Sequence, residues 1–146
     1  MITTNDLIRL PYTPDLTQGG IAYACRSLPN TYNRVGGSPV ERLRRIVGSV
    51  AVEIAFRRYL NEKNVPFKVE GAAPFTDRDH YDVDLGGHRC DIKSYLITHR
   101  DQITEMRRDL GPLLKAPALV PLDQYASEDH TGQDIYLFAF LSALIT

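Results

Sequence analysis

The stretch Tyr81-Asp-Val-Asp-Leu-Gly-Gly-His-Arg-Cys-Asp-Ile-Lys93 reads as two strands joined by a glycine pair. Glycine lacks a Cβ, so Gly86 and Gly87 can both take the positive φ that a two-residue hairpin turn needs. Such a turn pairs Leu85 with His88 and Asp84 with Arg89, and one step further out it sets Asp82 opposite Asp91. Side chains alternate along a strand. Asp82, Asp84, Arg89, Asp91 and Lys93 therefore share one face, while Val83, Leu85, Cys90 and Ile92 share the other. The apolar face belongs to a core. Like charges directly opposite each other destabilise a sheet, so the Asp82 and Asp91 pair implies a cation between them.

Upstream of the hairpin, Ser38-Pro-Val-Glu41 is a helix start, with serine at the N-cap, proline at the first helical position and glutamate closing a capping box. The helix is expected to run to about Asn61, with Leu43, Ile46, Val50, Ile54 and Leu60 at near-helical spacing and Glu53 in its middle. Residues 65–70 alternate as a strand, and residues 71–79 are a loop. Downstream, the second hairpin arm continues to Ile97. A second helix is expected over residues 100–110, until Gly111-Pro112 breaks it. A polar connector ends near Gly132, and residues 134–145 form an apolar run expected to be a strand buried on both faces, with a terminal helix as the competing reading. Residues 1–37 are rich in Pro, Gly, Asn and Thr and read as an arm or cap, with a short helical candidate near residues 21–28.

This order of elements and its acids resembles the PD-(D/E)XK nuclease superfamily, whose signature is an Asp, then Asp or Glu, one residue, then Lys. The matching residues are Asp82 and Asp91-Ile-Lys93, with Glu53 where many members carry a helical acid, and the resemblance spans about residues 38–145. It implies an α/β fold: a restriction-endonuclease-like αβββαβ core, with a mixed central sheet flanked by helices, in a single core domain of residues 38–146. It also implies Glu53, Asp82, Asp91 and Lys93 as catalytic residues, with Mg²⁺ (Mn²⁺ substituting) held by Asp82, Asp91, the Ile92 carbonyl and Glu53. Hard divalent ions prefer such oxygen ligands and keep several waters, which suits this set. DNA is the implied substrate, hydrolysed by metal-activated water, and RNA stays open. Tyr81 where the family usually has proline, and Asp91 where Glu is commoner, are departures.

Each residue also has a plainer reading. Asp84 is expected to pair with Arg89 across the hairpin. Glu53 and Arg57 are four apart on a helix, a pairing worth about 0.3–0.5 kcal/mol. Lys93 reads equally as an exposed strand lysine, and His80 falls opposite it in the extended register. Tyr95 and Tyr81 are candidates for stacking on bases, and Arg57, Arg58, Arg78, Arg100, Arg107, Arg108 and Lys115 for phosphate contacts. The alternative function is a non-catalytic nucleic-acid-binding or scaffold module on the same fold; a small-molecule hydrolase using the same metal ranks third.

With 146 residues and 43% hydrophobic content the chain supports one core, and a net charge of −1 supplies no basic field, so any contact with nucleic acid has to be local. Cys25 and Cys90 read as free, buried thiols in a reducing compartment. No basic-then-apolar leader or uncharged span of membrane length is visible, so a soluble, cytoplasmic protein is expected, with no membrane partner. The apolar end of the chain suggests packing against another subunit in a homo-oligomer, or against a further domain if the chain is a fragment. P-loop, nucleophile-elbow and dinucleotide-binding motifs are absent from the sequence.

Overall fold

A computed structural model describes residues 2–27, 37–69, 83–117, 119–120 and 132–142. Along the chain these form α1 (Pro14–Ser27), α2 (Pro39–Glu62), β1 (Phe67–Lys68), β2 (Val83–Leu85), β3 (His88–Ile97), α3 (Arg100–Arg108), α4 (Gly111–Leu114) and β4 (Ile135–Ser142). The strands make one mixed sheet in the order β1-β2-β3-β4, antiparallel from β1 to β3 and parallel between β3 and β4. Parallel neighbours need a crossover, and residues 98–134, including α3 and α4, provide it.

α2 begins where the capping box predicts. The Ser38 hydroxyl accepts from the Glu41 N–H at 3.2 Å, and the Glu41 carboxylate accepts from the Ser38 N–H at 2.7 Å. The helix ends as Asn64 turns left-handed at φ 53° and directs the chain into β1. Leu60, Val83 and Cys90 form the centre of the core between α2 and the sheet, with Phe56, Ile92 and Leu137 packed around them.

α1 is longer than the short helix read from sequence. It buries Leu16, Gly20, Ala24 and Ser27, a stripe at helical spacing made mostly of small residues. That stripe lets α1 approach α2 closely: a Cβ on Gly20 would lie 2.6 Å from the Val47 carbonyl oxygen. Arg58 of α2 reaches back to the Thr13 hydroxyl at 3.0 Å and to the Asp15 carboxylate, tying down the start of α1.

Three further expectations are corrected. The second helix ends at Arg108, and Gly111-Pro112 opens the short helix α4, because proline suits a first helical turn. β4 is a strand, but among the described residues it lies at the end of the sheet, so most of it is half-buried and only Leu141 is buried. Cys25 is exposed on α1, while Cys90 is buried; both are free thiols. No helix among the described residues is long and apolar enough to cross a membrane.

Candidate metal centre on the β2–β3 hairpin

The turn has the geometry its glycines allow. Gly86 and Gly87 take φ of 61° and 87°, and the Gly87 N–H donates to Asp84 Oδ1 at 3.0 Å. The register pairs Leu85 with His88, Asp84 with Arg89 and Val83 with Cys90, as the glycine pair predicts. Asp82, together with His80, Tyr81, Arg78 and the facing of Asp82 on Asp91, lies outside the described residues.

Alternation along β3 divides its side chains cleanly between the two faces. Cys90 and Ile92 enter the core beneath Leu60 of α2, Ser94 Oγ meets Ser49 Oγ of α2 at 2.8 Å, and Leu96 lies near Gly48. The even-numbered residues thus face α2. Arg89, Asp91, Lys93 and Tyr95 leave by the opposite face, where Tyr95 stacks on Phe138 and Phe140 of β4. On that face Lys93 Nζ lies 2.5 Å from Asp91 Oδ2, with the side chains 15% and 23% exposed. Parallel pairing sets Tyr136 opposite Asp91 and Phe138 opposite Lys93, so apolar rings border the pair and thin the water that would screen it.

Glu53 does not join that pair. Ser49, Glu53, Phe56 and Leu60 follow one another at helical spacing on the sheet-facing stripe of α2, which covers the even-numbered face. Asp91 and Lys93 leave by the other face of a strand that has β2 on one side and β4 on the other. Glu53 is paired with Arg57 at 3.2 Å, the plainer of its two sequence readings. Ile92 directs its side chain into the core, so its only potential ligand is its carbonyl oxygen.

The expected Asp84 and Arg89 pair is also replaced. Asp84 is used within the turn, while Arg89 makes two parallel bonds to Asp134, Nε to Oδ1 at 2.9 Å and Nη2 to Oδ2 at 2.8 Å. His88 Nδ1 lies 3.2 Å from the Gln133 carbonyl oxygen. The first residues of β3 are thereby clamped to the segment entering β4. Sequence reading missed Asp134 because a parallel neighbour leaves no local signature. Tyr95 is not presented for base stacking: besides its ring contacts, its hydroxyl bonds to the backbone of Leu119. Arg58 is similarly engaged with α1.

The donor set decides how far a divalent ion fits. Among the described residues no three His, Cys, Asp or Glu side chains gather to hold one. Asp91 supplies one hard carboxylate beside a cationic lysine, and a second carboxylate has to come from Asp82. Comparison with protein-family models, with curated proteins and with solved structures finds no match to this chain.

Proposed function

We propose that the β2–β3 hairpin is the catalytic element of a Mg²⁺-dependent nuclease, with Mn²⁺ able to substitute, that hydrolyses DNA phosphodiester bonds. The supporting observation is the Asp91 and Lys93 pair, held 2.5 Å apart on the face away from α2, on the strand that leaves a tight glycine turn. The order α2-β1-β2-β3-α3-α4-β4, with β3 and β4 parallel, is compatible with the restriction-endonuclease-like αβββαβ arrangement of the PD-(D/E)XK superfamily once the one-turn α4 is taken as part of the crossover.

Asp91 and Asp82 would hold the ion, with Asp82 brought opposite Asp91 by one more step of the register that already pairs Val83 with Cys90. A bound divalent ion supplies Lewis-acid stabilisation of a phosphate and lowers the pKa of its water. Lys93 positions the attacking water or offsets charge building on the phosphate oxygens, and its contact with Asp91 restricts where the ammonium can sit. Glu53, on the far side of the sheet, has no part in this reading.

The test is cleavage of plasmid DNA, linear DNA and RNA in Mg²⁺ and in Mn²⁺. Metal-dependent cleavage lost in Asp91→Ala and in Lys93→Ala is expected; cleavage that survives chelator, or that both variants retain, refutes the proposal.

A second reading, a non-catalytic nucleic-acid-binding module, draws on the same ion pairs: Lys93 and Glu53 each already have a partner of opposite charge within the fold. Nucleic acid bound equally tightly in chelator and in Mg²⁺, without cleavage, would favour it.

A further inference from the structure

Among the described residues the sheet ends at β4, and a groove of about 380 Å³ wraps that edge along residues 137–142. Its walls come from both sides of the strand and from residues 7–12, the segment that leads into α1. Val52 and Ala55 of α2 line it with Leu137 and Leu141, while Met106, Leu110 and Leu113 line it with Phe138 and Phe140 of the opposite face. An edge strand turns a row of backbone N–H and C=O groups outward, and these are met in full only by another strand. A strand seated here would direct alternate side chains into apolar surroundings on either side.

Charge narrows the choice of occupant. Arg9 and Arg107 also line the groove, are exposed, and make no hydrogen bond or ion pair among the described residues. A second copy of this chain is a poor match: residues 135–142, Ile-Tyr-Leu-Phe-Ala-Phe-Leu-Ser, carry no acid, and the copy would bring its own Arg9 and Arg107 to the same seam. We propose that this edge takes an extended peptide segment of a partner protein, mostly apolar and carrying carboxylates for Arg9 and Arg107, as a strand added beside β4. The groove meets the hairpin at Ile97 and borders Lys93 through Phe138 but is lined by neither Asp91 nor Lys93, so its test does not depend on nuclease activity.

Two displayed libraries of ten-residue peptides provide the probe, both with randomised apolar and β-branched cores, one with glutamate and the other with lysine fixed at the ends. Selection on the full chain is expected to enrich the glutamate library alone. Enriched peptides, made synthetically, should slow amide exchange at residues 137–142, lose binding when a central proline is introduced, and bind at least about tenfold more weakly to Arg9→Glu/Arg107→Glu. Arg9→Lys/Arg107→Lys should keep most of the affinity, and circular dichroism melting of both variants separates lost charge from lost fold. Enrichment from neither library or equally from both, binding indifferent to the arginine reversals, or exchange unaltered along β4 would overturn the proposal. So would sedimentation showing a dimer that the peptides leave intact.

Discussion

Asp91 and Lys93 sit two residues apart on one strand face, with their charged atoms in contact. Removing either leaves the other half-buried beside Tyr136 or Phe138 without its nearest counter-charge. A charge left unpaired in partly dehydrated surroundings costs more than an exposed pair contributes. A lysine stem can extend its ammonium to water where the shorter aspartate cannot, so Asp91→Leu is expected to cost the fold less than Lys93→Met, and urea unfolding of the two variants measures that directly. Arg89 and Asp134 allow a cleaner measurement, because their fork is bidentate and largely shielded. A double-mutant cycle to alanine is expected to return a coupling of about 1–2 kcal/mol, and a value near zero would mean that the clamp contributes nothing to stability. Gly20→Ala sets helix propensity, worth about 1 kcal/mol in favour, against a Cβ placed 2.6 Å from a backbone oxygen. Backbone cannot rotate aside as a side chain can, so a net loss of about 1–3 kcal/mol is expected in denaturant unfolding.

Hairpin and helix α2 were the elements most legible in the sequence. A glycine pair between alternating strands admits one register, and a one-residue slip would bury Asp84 and Asp91 in place of Val83 and Cys90. The turn glycines nevertheless differ in tolerance. Asn at Gly86 suits its φ of 61°, whereas Gly87→Ala at φ 87° is expected to cost about 1–2 kcal/mol by thermal or urea unfolding. At the start of α2, the Ser38 backbone N–H and then its hydroxyl hold the Glu41 carboxyl below its ordinary value near 4.5. A carboxyl lowered on folding stabilises the fold fully above the unfolded value and loses that contribution as pH falls through the folded one. Glu41→Gln is therefore expected to flatten the acid side of the melting-temperature profile, below about pH 4.5, while leaving its slope near neutrality unchanged. What the sequence concealed was long-range. The full length of α1 is hidden in the sequence because its buried stripe is mostly Gly20, Ala24 and Ser27, which do not stand out as hydrophobic. The side of the sheet that α2 covers, and with it the separation of Glu53 from Asp91, is set by packing between residues 45 apart in the chain, as is the Arg89 and Asp134 fork.

At the scale of the whole molecule, a net charge of −1 leaves nucleic-acid binding to a few local cations. Each phosphate neutralised adds close to one unit to the slope of log affinity against log salt, so a slope of about −2 to −4 is expected. A much steeper slope would indicate an extended basic surface that the charge balance does not provide. The proposed centre lies on the face of β3 away from α2, and the groove at the β4 edge makes a second, chemically distinct feature of the same sheet. The proposed function requires that Asp91, together with Asp82, hold a divalent ion with Lys93 beside it. Anomalous scattering from a crystal grown in Mn²⁺ tests this most directly. One strong peak is expected within ligand distance of an Asp91 carboxylate oxygen, on the Lys93 side of the sheet, and it disappears in Asp91→Ala. A peak on the α2 side at Glu53, or none near Asp91 in a crystal of protein that cleaves DNA, would contradict it.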